Sequence, residues 1–275
     1  MVKKSHYIPK FKIKRFSTKS TYVNCYDKEC KKYFKSSVDN ILCEGKIYDY
    51  QPEIITGTFG EQFIERKLFA QSIEPKIACI ENKIIDNTYT FTDLDELSKY
   101  VYMQIFRVKS VRDAAIQYAK HKGKTDLEAE ELFIKLLLGE GSKEEAKNNF
   151  ISMSKTIIRS IDDFLLCDRL GIVSADGSSL LYPVSKNIYI LFEYTDTQYY
   201  LDTYVDVDEV ANINKMVFNE AKRFIIGEHK ETIDNTIKHI CTEIYKQWGT
   251  NEHTRTYIKI HNRHKRIWKT IRFFT

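Results

Sequence analysis

Two short triplets carry the acid-and-lysine half of a metal-dependent nuclease centre. Glu65–Arg66–Lys67 and Glu81–Asn82–Lys83 each place a carboxylate two residues from an ammonium. With an upstream acid such as Asp49, two carboxylates would hold Mg²⁺ while the lysine steadies the attacking water or the phosphorane charge. Both triplets fall in a stretch of helical periodicity rather than on a strand. In a chain with 29% charged residues the pattern also arises by composition. Asp202, Asp206, Asp208 and Glu209 form an acidic run that reads first as the favoured anionic start of a helix and second as a hard-cation site. His261–Asn262–Arg263–His264 has neither partner ligands nor ββα surroundings, so it reads as a solvated basic tail. Arg107 and Arg112 sit about 140° apart on a helix. Arg107 lies beside Tyr100, Met103 and Phe106, where a buried guanidinium wants a carboxylate or a phosphate, an internal ion pair being the simpler solution. No P-loop, GxGxxG, GxSxG or HExxH is present.

Charge is concentrated at the two ends. Residues 1–19 hold seven Lys/Arg and no acid, residues 251–275 hold seven against Glu252 alone, and the net charge of the whole is +5, so the middle is acidic. Both ends interleave cations with rings: Tyr7, Phe11 and Phe16 at the front, Tyr257, Trp268, Phe273 and Phe274 at the back. Cations that neutralise phosphates, beside rings that stack on bases, suit single-stranded nucleic acid or RNA. The candidate contacts are Lys10, Lys12, Lys14 and Arg15, with Arg255, Arg263, Lys265, Arg266 and Lys269. The plainer alternative is an amphipathic edge: FKIKRF has a period of two, with Phe11 and Ile13 facing one way and Lys12 and Lys14 the other. No stretch approaches the ~18 unbroken apolar residues of a membrane span. The basic N-terminus lacks the apolar core of a secretory signal. Six cysteines without a CxxC pair argue against a zinc ribbon or a disulfide framework. A cytoplasmic globular protein is expected.

These residues need elements to position them. TYVNCY and KKYFKSS read as a hairpin around Asp27–Lys28–Glu29. Residues 59–83 are helical, with Pro75 tolerated only at a helix start. Thr92 opens a helix over 93–121. Thr125 and Glu128 form a capping box before Ala129–Leu138, and Ser142 and Glu145 form another before a helix running to about Asp162. FLLCD, SSLLYPVS and NIYILFEY then read as a small antiparallel sheet. Asp206–Gly227 and His229–Trp248 read as helices, with Gly227 as the stop between them. The expected fold is α+β and mostly helical: one compact domain over 1–275, with a hairpin (6–37), a helical middle (59–162), a small sheet (164–195), C-terminal helices (206–248) and a basic tail (251–275).

The opening His6–Tyr7–Ile8–Pro9–Lys10–Phe11, with Ile13, Phe16 and the YVNCYDKECKKYFKSS hairpin, resembles the HYVPxFxLxxF…YD start of a large microbial family, domain-of-unknown-function family 4238. The similarity runs on through Glu65, Glu74–Pro75–Lys76, Phe106–Arg112 (LRTPxFR in the family), Tyr182–Pro183–Val184–Ser185 (FPLSP) and Asn214…Asn219–Ile225 (N…NAxRFI). Phe164–Leu170 stands where the family reads FxTSDNP, and of its polar residues only Asp168 is kept. The resemblance implies that His6, Arg107, Arg112 and Asp168 meet in space, with Glu65 or Glu74 beside them. An imidazole, two guanidiniums and a carboxylate would serve to bind or cleave a phosphodiester. The alternative is a buried network tying the N-terminal segment to the helices and the sheet.

The expected function is nucleic-acid binding, extending to a nuclease-type effector in microbial anti-phage defence. The rival is a non-enzymatic module that meets an acidic partner or self-associates. No cofactor is implied, Mg²⁺ entering only with nuclease activity. The partners expected are nucleic acid, no membrane, and a homo-oligomer or a defence-system protein.

Overall fold

The computed structural model describes residues 5–19, 21–44, 69–107, 109–137, 148, 150–174 and 176–248. A two-residue strand β1 (Ser5–His6) leads to Pro9, whose carbonyl accepts the N–H groups of Lys12 and Ile13 and so starts the helix α1 (Lys10–Lys14). The alternation of FKIKRF, which suggests a strand, is therefore overruled by packing. Ile13 and Phe16, three residues apart, are both fully buried, as one helical face requires. Lys12 is buried with them.

The hairpin forms as expected. β2 (Tyr22–Asp27) pairs with β3 (Lys32–Ser37) from Tyr22↔Ser37 to Asp27↔Lys32. Its turn is fixed by Asp27, whose Oδ1 accepts the N–H groups of Glu29 and Cys30, with Lys31 at φ 55°. β4 (Cys43–Glu44) returns to pair with β1.

A run of helices follows among the described residues. α2 (Glu74–Ile85) has Pro75 in its first turn, the position where the missing N–H costs nothing. The helix expected over 93–121 is two, α3 (Phe91–Arg107) and α4 (Lys109–His121). The cap of α3 is Thr90 rather than Thr92: Thr90 and Asp93 exchange side-chain-to-backbone bonds in both directions. α5 (Asp126–Leu137) carries the expected box, with Thr125 N–H donating to Glu128 Oε2 and Glu128 N–H to Thr125 Oγ1.

The second half departs most from expectation. The helix expected to reach Asp162 gives way to a strand, β5 (Ser154–Arg159), whose Thr156–Ile158 run suits a ladder buried on both sides. β6 (Leu166–Cys167), β7 (Ile172–Val173), β8 (Ser179–Ser185), β9 (Ile188–Glu193) and β10 (Tyr200–Tyr204) complete the strands before α6 (Val207–Glu220). Asp206 caps α6 by accepting the N–H groups of Asp208 and Glu209, which accounts for most of the acidic run without a cation. The expected helix over 206–227 ends early. Phe-Ile-Ile-Gly becomes β11 (Phe224–Gly227), and α7 (Lys230–Trp248) closes the described chain.

The sheet content is accordingly larger than one small antiparallel sheet. A five-stranded sheet has the order β10-β5-β9-β8-β7, with β10 parallel to β5 and the rest antiparallel. A four-stranded sheet, β3-β2-β11-β6, joins the N-terminal hairpin to strands from the second half. Both sheets share one buried core with α1, α2, α3, α6 and α7. No helix among the described residues is long and apolar enough to cross a membrane.

Candidate functional site

Glu81, the acid of the second triplet, is fully buried, and α1 supplies its partners. Lys12 Nζ lies 2.5 Å from Glu81 Oε1 with both side chains at 0% exposure, so solvent cannot screen the pair. Arg15 bonds the other carboxylate oxygen and also donates to Ala78 O and Asn82 Oδ1. Tyr182 of β8 donates its hydroxyl to Glu81 Oε1 at 2.7 Å, and the Lys12 ammonium sits 4.5 Å over its ring. Two cations and one anion leave a surplus positive charge in the core. Desolvation, outweighing the pull of Glu81 and aided by repulsion from Arg15, pushes Lys12 down to about 7. Losing that proton leaves a neutral Arg15–Glu81 pair.

This depression has a consequence for stability. Above about pH 7 the folded chain releases a proton that unfolded lysine holds to 10.5, so the unfolded state binds more protons. Stability should therefore rise with pH between about 7 and 8.5, by on the order of 1 kcal/mol per pH unit. Above the ordinary thiol value of 9.0 the trend opposes, because burial pushes the Cys25 and Cys167 thiols up to about 12. Urea midpoints measured across the window check the sign, and Lys12→Met should flatten the slope.

The residues expected to bind or cut a phosphodiester are placed as follows. His6 is half-buried in the β1–β4 ribbon, its Nε2 donating to Val38 O at 3.2 Å, and burial lowers its basicity. Asp168 follows β6 and accepts the N–H groups of Lys222, Arg223 and Phe224 at 2.8, 2.7 and 3.1 Å, which ends α6 and launches β11. Those two side chains bond to different partners. Arg107 closes α3 and Arg112 lies in α4, but their side chains are outside the described residues, as are Glu65 and Asp49. Of the N-terminal cations, Lys12 and Arg15 are committed to Glu81, Lys10 pairs with Asp39, and Lys14 is exposed. Arg255, Arg263, Lys265, Arg266 and Lys269 lie outside the described residues.

A different set of polar groups does come together at a half-open surface. Asp163 follows β5, with its backbone carbonyl held by Asn214 Nδ2 while Asn214 Oδ1 accepts the Leu165 N–H. Lys186 occupies the turn between β8 and β9: its N–H donates to Arg15 O, and its carbonyl accepts the Phe164 N–H. Glu228 leaves the end of β11, and its carbonyl accepts from Thr18 Oγ1 and Asn24 Nδ2. Gly227 leaves room for the Leu165 side chain, whose Cδ2 would lie 2.9 Å from a Cβ there. His229 precedes α7.

Their side chains converge. Lys186 Nζ is 2.5 Å from Glu228 Oε2 and 3.3 Å from Asp163 Oδ1, and His229 Nε2 is 3.6 Å from Asp163 Oδ2. Ligand atoms of Asp163, Glu228 and His229 all lie within 4.8 Å of one another, a spacing that could hold a divalent cation. Side-chain exposure rises from 13% at Asp163 and 17% at Glu228 to 34% at Lys186 and 56% at His229. The cluster is thus rooted at one end and open at the other, unlike the sealed Glu81 network. Partial burial acts to lower the Lys186 basicity, but its bonds to Glu228 and Asp163 outweigh this and raise it, so Lys186 is charged. Lys14 and Lys19, neighbours in sequence of Arg15 and Thr18, are exposed, and Lys35, the register partner of Asn24, holds its ammonium 5.1 Å over the exposed Tyr22 ring.

None of these four residues stands out in the sequence. Glu228–His229 directly after the apolar FIIG run, and the Asp162–Asp163 doublet before FLLC, are the only local signals. The architecture is mixed α+β. The chain belongs to the family described as "Protein of unknown function (DUF4238)", whose model matches residues 4–231. The match contains Asp163, Lys186, Glu228 and His229 and stops short of the basic C-terminal stretch. No curated protein and no solved structure matches the chain.

Proposed function

We propose that the protein binds nucleic acid and hydrolyses a phosphodiester at Asp163, Lys186, Glu228 and His229. The observation that supports this reading is the convergence of two carboxylates, an ammonium and an imidazole from three chain segments onto one half-open point. Asp163, Glu228 and His229 are the donors that would hold a divalent cation, and oxygen with imidazole suits Mn²⁺ or Zn²⁺ as well as Mg²⁺. Such a cation, when bound, would supply a nucleophilic water at neutral pH. Lys186, already charged, stabilises the phosphorane oxygens as negative charge develops. Lys14, Lys19 and Lys35 offer phosphate contacts and Tyr22 a face for a base, with Arg255, Arg263, Lys265, Arg266 and Lys269 adding charge from the tail. A role as an effector in microbial anti-phage defence rests on family likeness alone.

Salt separates this reading from a non-enzymatic module. Retention of a labelled single-stranded RNA on the full chain should fall steeply, by at least tenfold, between about 50 and 200 mM salt. Indifference to RNA and to single-stranded DNA at 50 mM would contradict it.

A further inference from the structure

From Asn187 to Asn214 the chain holds six acids (Glu193, Asp196, Asp202, Asp206, Asp208, Glu209) and no Lys or Arg. In the middle of that stretch runs β10, an edge strand of the five-stranded sheet. Its pairing with β5 is bracketed by Lys155 N–H donating to Tyr199 O and Val205 N–H to Arg159 O. The two-residue repeat of a parallel ladder therefore turns the N–H and C=O groups of residues 199, 201, 203 and 205 toward β5. Those of Tyr200, Asp202 and Tyr204 face outward. Among the described residues no other strand pairs with that side.

Free edges are ordinarily blunted by a lysine, a proline or a bulge, because an open row of donors and acceptors recruits another strand. This edge has none of these. It displays large side chains instead: Leu201 is 54% exposed, Tyr204 75%, and Phe91, whose ring lies tilted 4.6 Å from that of Tyr200, 63%. Asp202 is neutralised by Arg159, which grips both its oxygens at 2.7 and 3.0 Å. Asp196 before the strand and Asp208 and Glu209 after it are exposed and have no cationic partner among the described residues. Both ends of the open edge are thus negative while its middle is apolar. A second copy pairing edge to edge would set these acids against their like, which charge disfavours.

We infer that β10 is a docking edge for a cationic, extended peptide segment of another protein, which adds a sixth strand to the sheet. Main-chain bonds to Tyr200, Asp202 and Tyr204 supply the affinity. Alternate apolar side chains pack on the sheet face that carries Tyr204 and Phe91, and flanking lysines or arginines meet Asp196, Asp208 and Glu209. The inference is independent of any chemistry at Asp163.

The test uses the full chain and two fluorescein-labelled octapeptides, one alternating lysine with valine and one alternating glutamate with valine. In fluorescence anisotropy the lysine peptide should bind at 50 mM salt, weaken at 300 mM, and outbind the glutamate peptide at least tenfold. Tyr204→Pro removes one outward N–H and should weaken binding at least tenfold, whereas Tyr204→Val, which keeps it, should stay within threefold of wild type. Should Tyr204→Pro fail to fold, amide exchange on the wild-type chain decides: the lysine peptide should slow exchange at residues 200, 202 and 204. Equal binding of both peptides, or no protection on β10, would overturn the proposal. So would self-association of the peptide-free chain that Tyr204→Pro abolishes, since a second copy would then be the occupant.

Discussion

Glu81→Gln should lower the free energy of unfolding by about 3–5 kcal/mol, the cost typical of leaving buried charge without its partner. In a chain of this size that is a fall of roughly 10 °C in the melting midpoint. Glutamine keeps the shape and an acceptor for Tyr182, but it leaves Lys12 and Arg15 facing each other with no anion between them. Lys12→Met is the informative contrast. It removes the surplus cation, keeps the Arg15–Glu81 pair neutral, and fills the space over the Tyr182 ring with an unbranched apolar chain. Its cost should stay below about 1.5 kcal/mol. Urea unfolding followed by far-ultraviolet circular dichroism measures both. Equal losses for the two variants would show that the charge balance does not decide the stability of this network.

Lys186→Met should slow phosphodiester cleavage by about 10²–10³-fold, the usual effect of removing one group that faces developing charge. RNA retention should stay within about threefold of wild type, because in the proposed reading Lys14, Lys19, Lys35 and the basic tail would provide most of the phosphate contacts. The asymmetry follows from geometry. The Lys186 ammonium is enclosed between Asp163 and Glu228 and adds little to the outer field, yet it stands where a scissile phosphate would approach the carboxylates. If retention falls in step with cleavage, Lys186 is one of many binding cations and has no part in the chemical step.

Elements specified by neighbouring residues were legible in the sequence. The β2–β3 hairpin is closed by Asp27 acting on Glu29 and Cys30, and the start of α5 by Thr125 and Glu128 acting on each other. The acidic start of α6 was likewise readable, since Asp206 caps its own first turn. What was not legible is non-local. β11 is four residues long, and apolar runs that short fit a helix or a strand until their neighbours are known; β2 and β6, distant in the chain, decide it. β5 reads as the end of a helix until β9 and β10 arrive some thirty to forty-five residues later. Lys12 looked like a surface cation because nothing near it in sequence announces Glu81, sixty-nine residues away.

The candidate site follows the same rule. Asp163, Lys186 and Glu228 are 23 and 42 residues apart, at three loop positions whose meeting depends on both sheets. Family likeness pointed instead to Asp168, a few residues from Asp163. There the carboxylate has a structural task, gathering three backbone N–H groups at the turn into β11. That turn also delivers Glu228 and His229 to their place four residues later. The segment singled out by resemblance therefore helps build the cluster while its own acid is occupied elsewhere.

Single-turnover cleavage of an end-labelled single-stranded RNA by the full chain and by Asp163→Asn, with Mg²⁺ or Mn²⁺ present, is the most direct measurement. The wild-type chain should yield product, and the variant, with a melting midpoint within about 2 °C of wild type, should be at least ~100-fold slower. Cleavage by a folded Asp163→Asn at the wild-type rate, or none by the wild type on RNA or single-stranded DNA, would contradict the assignment of this cluster as a phosphodiesterase centre.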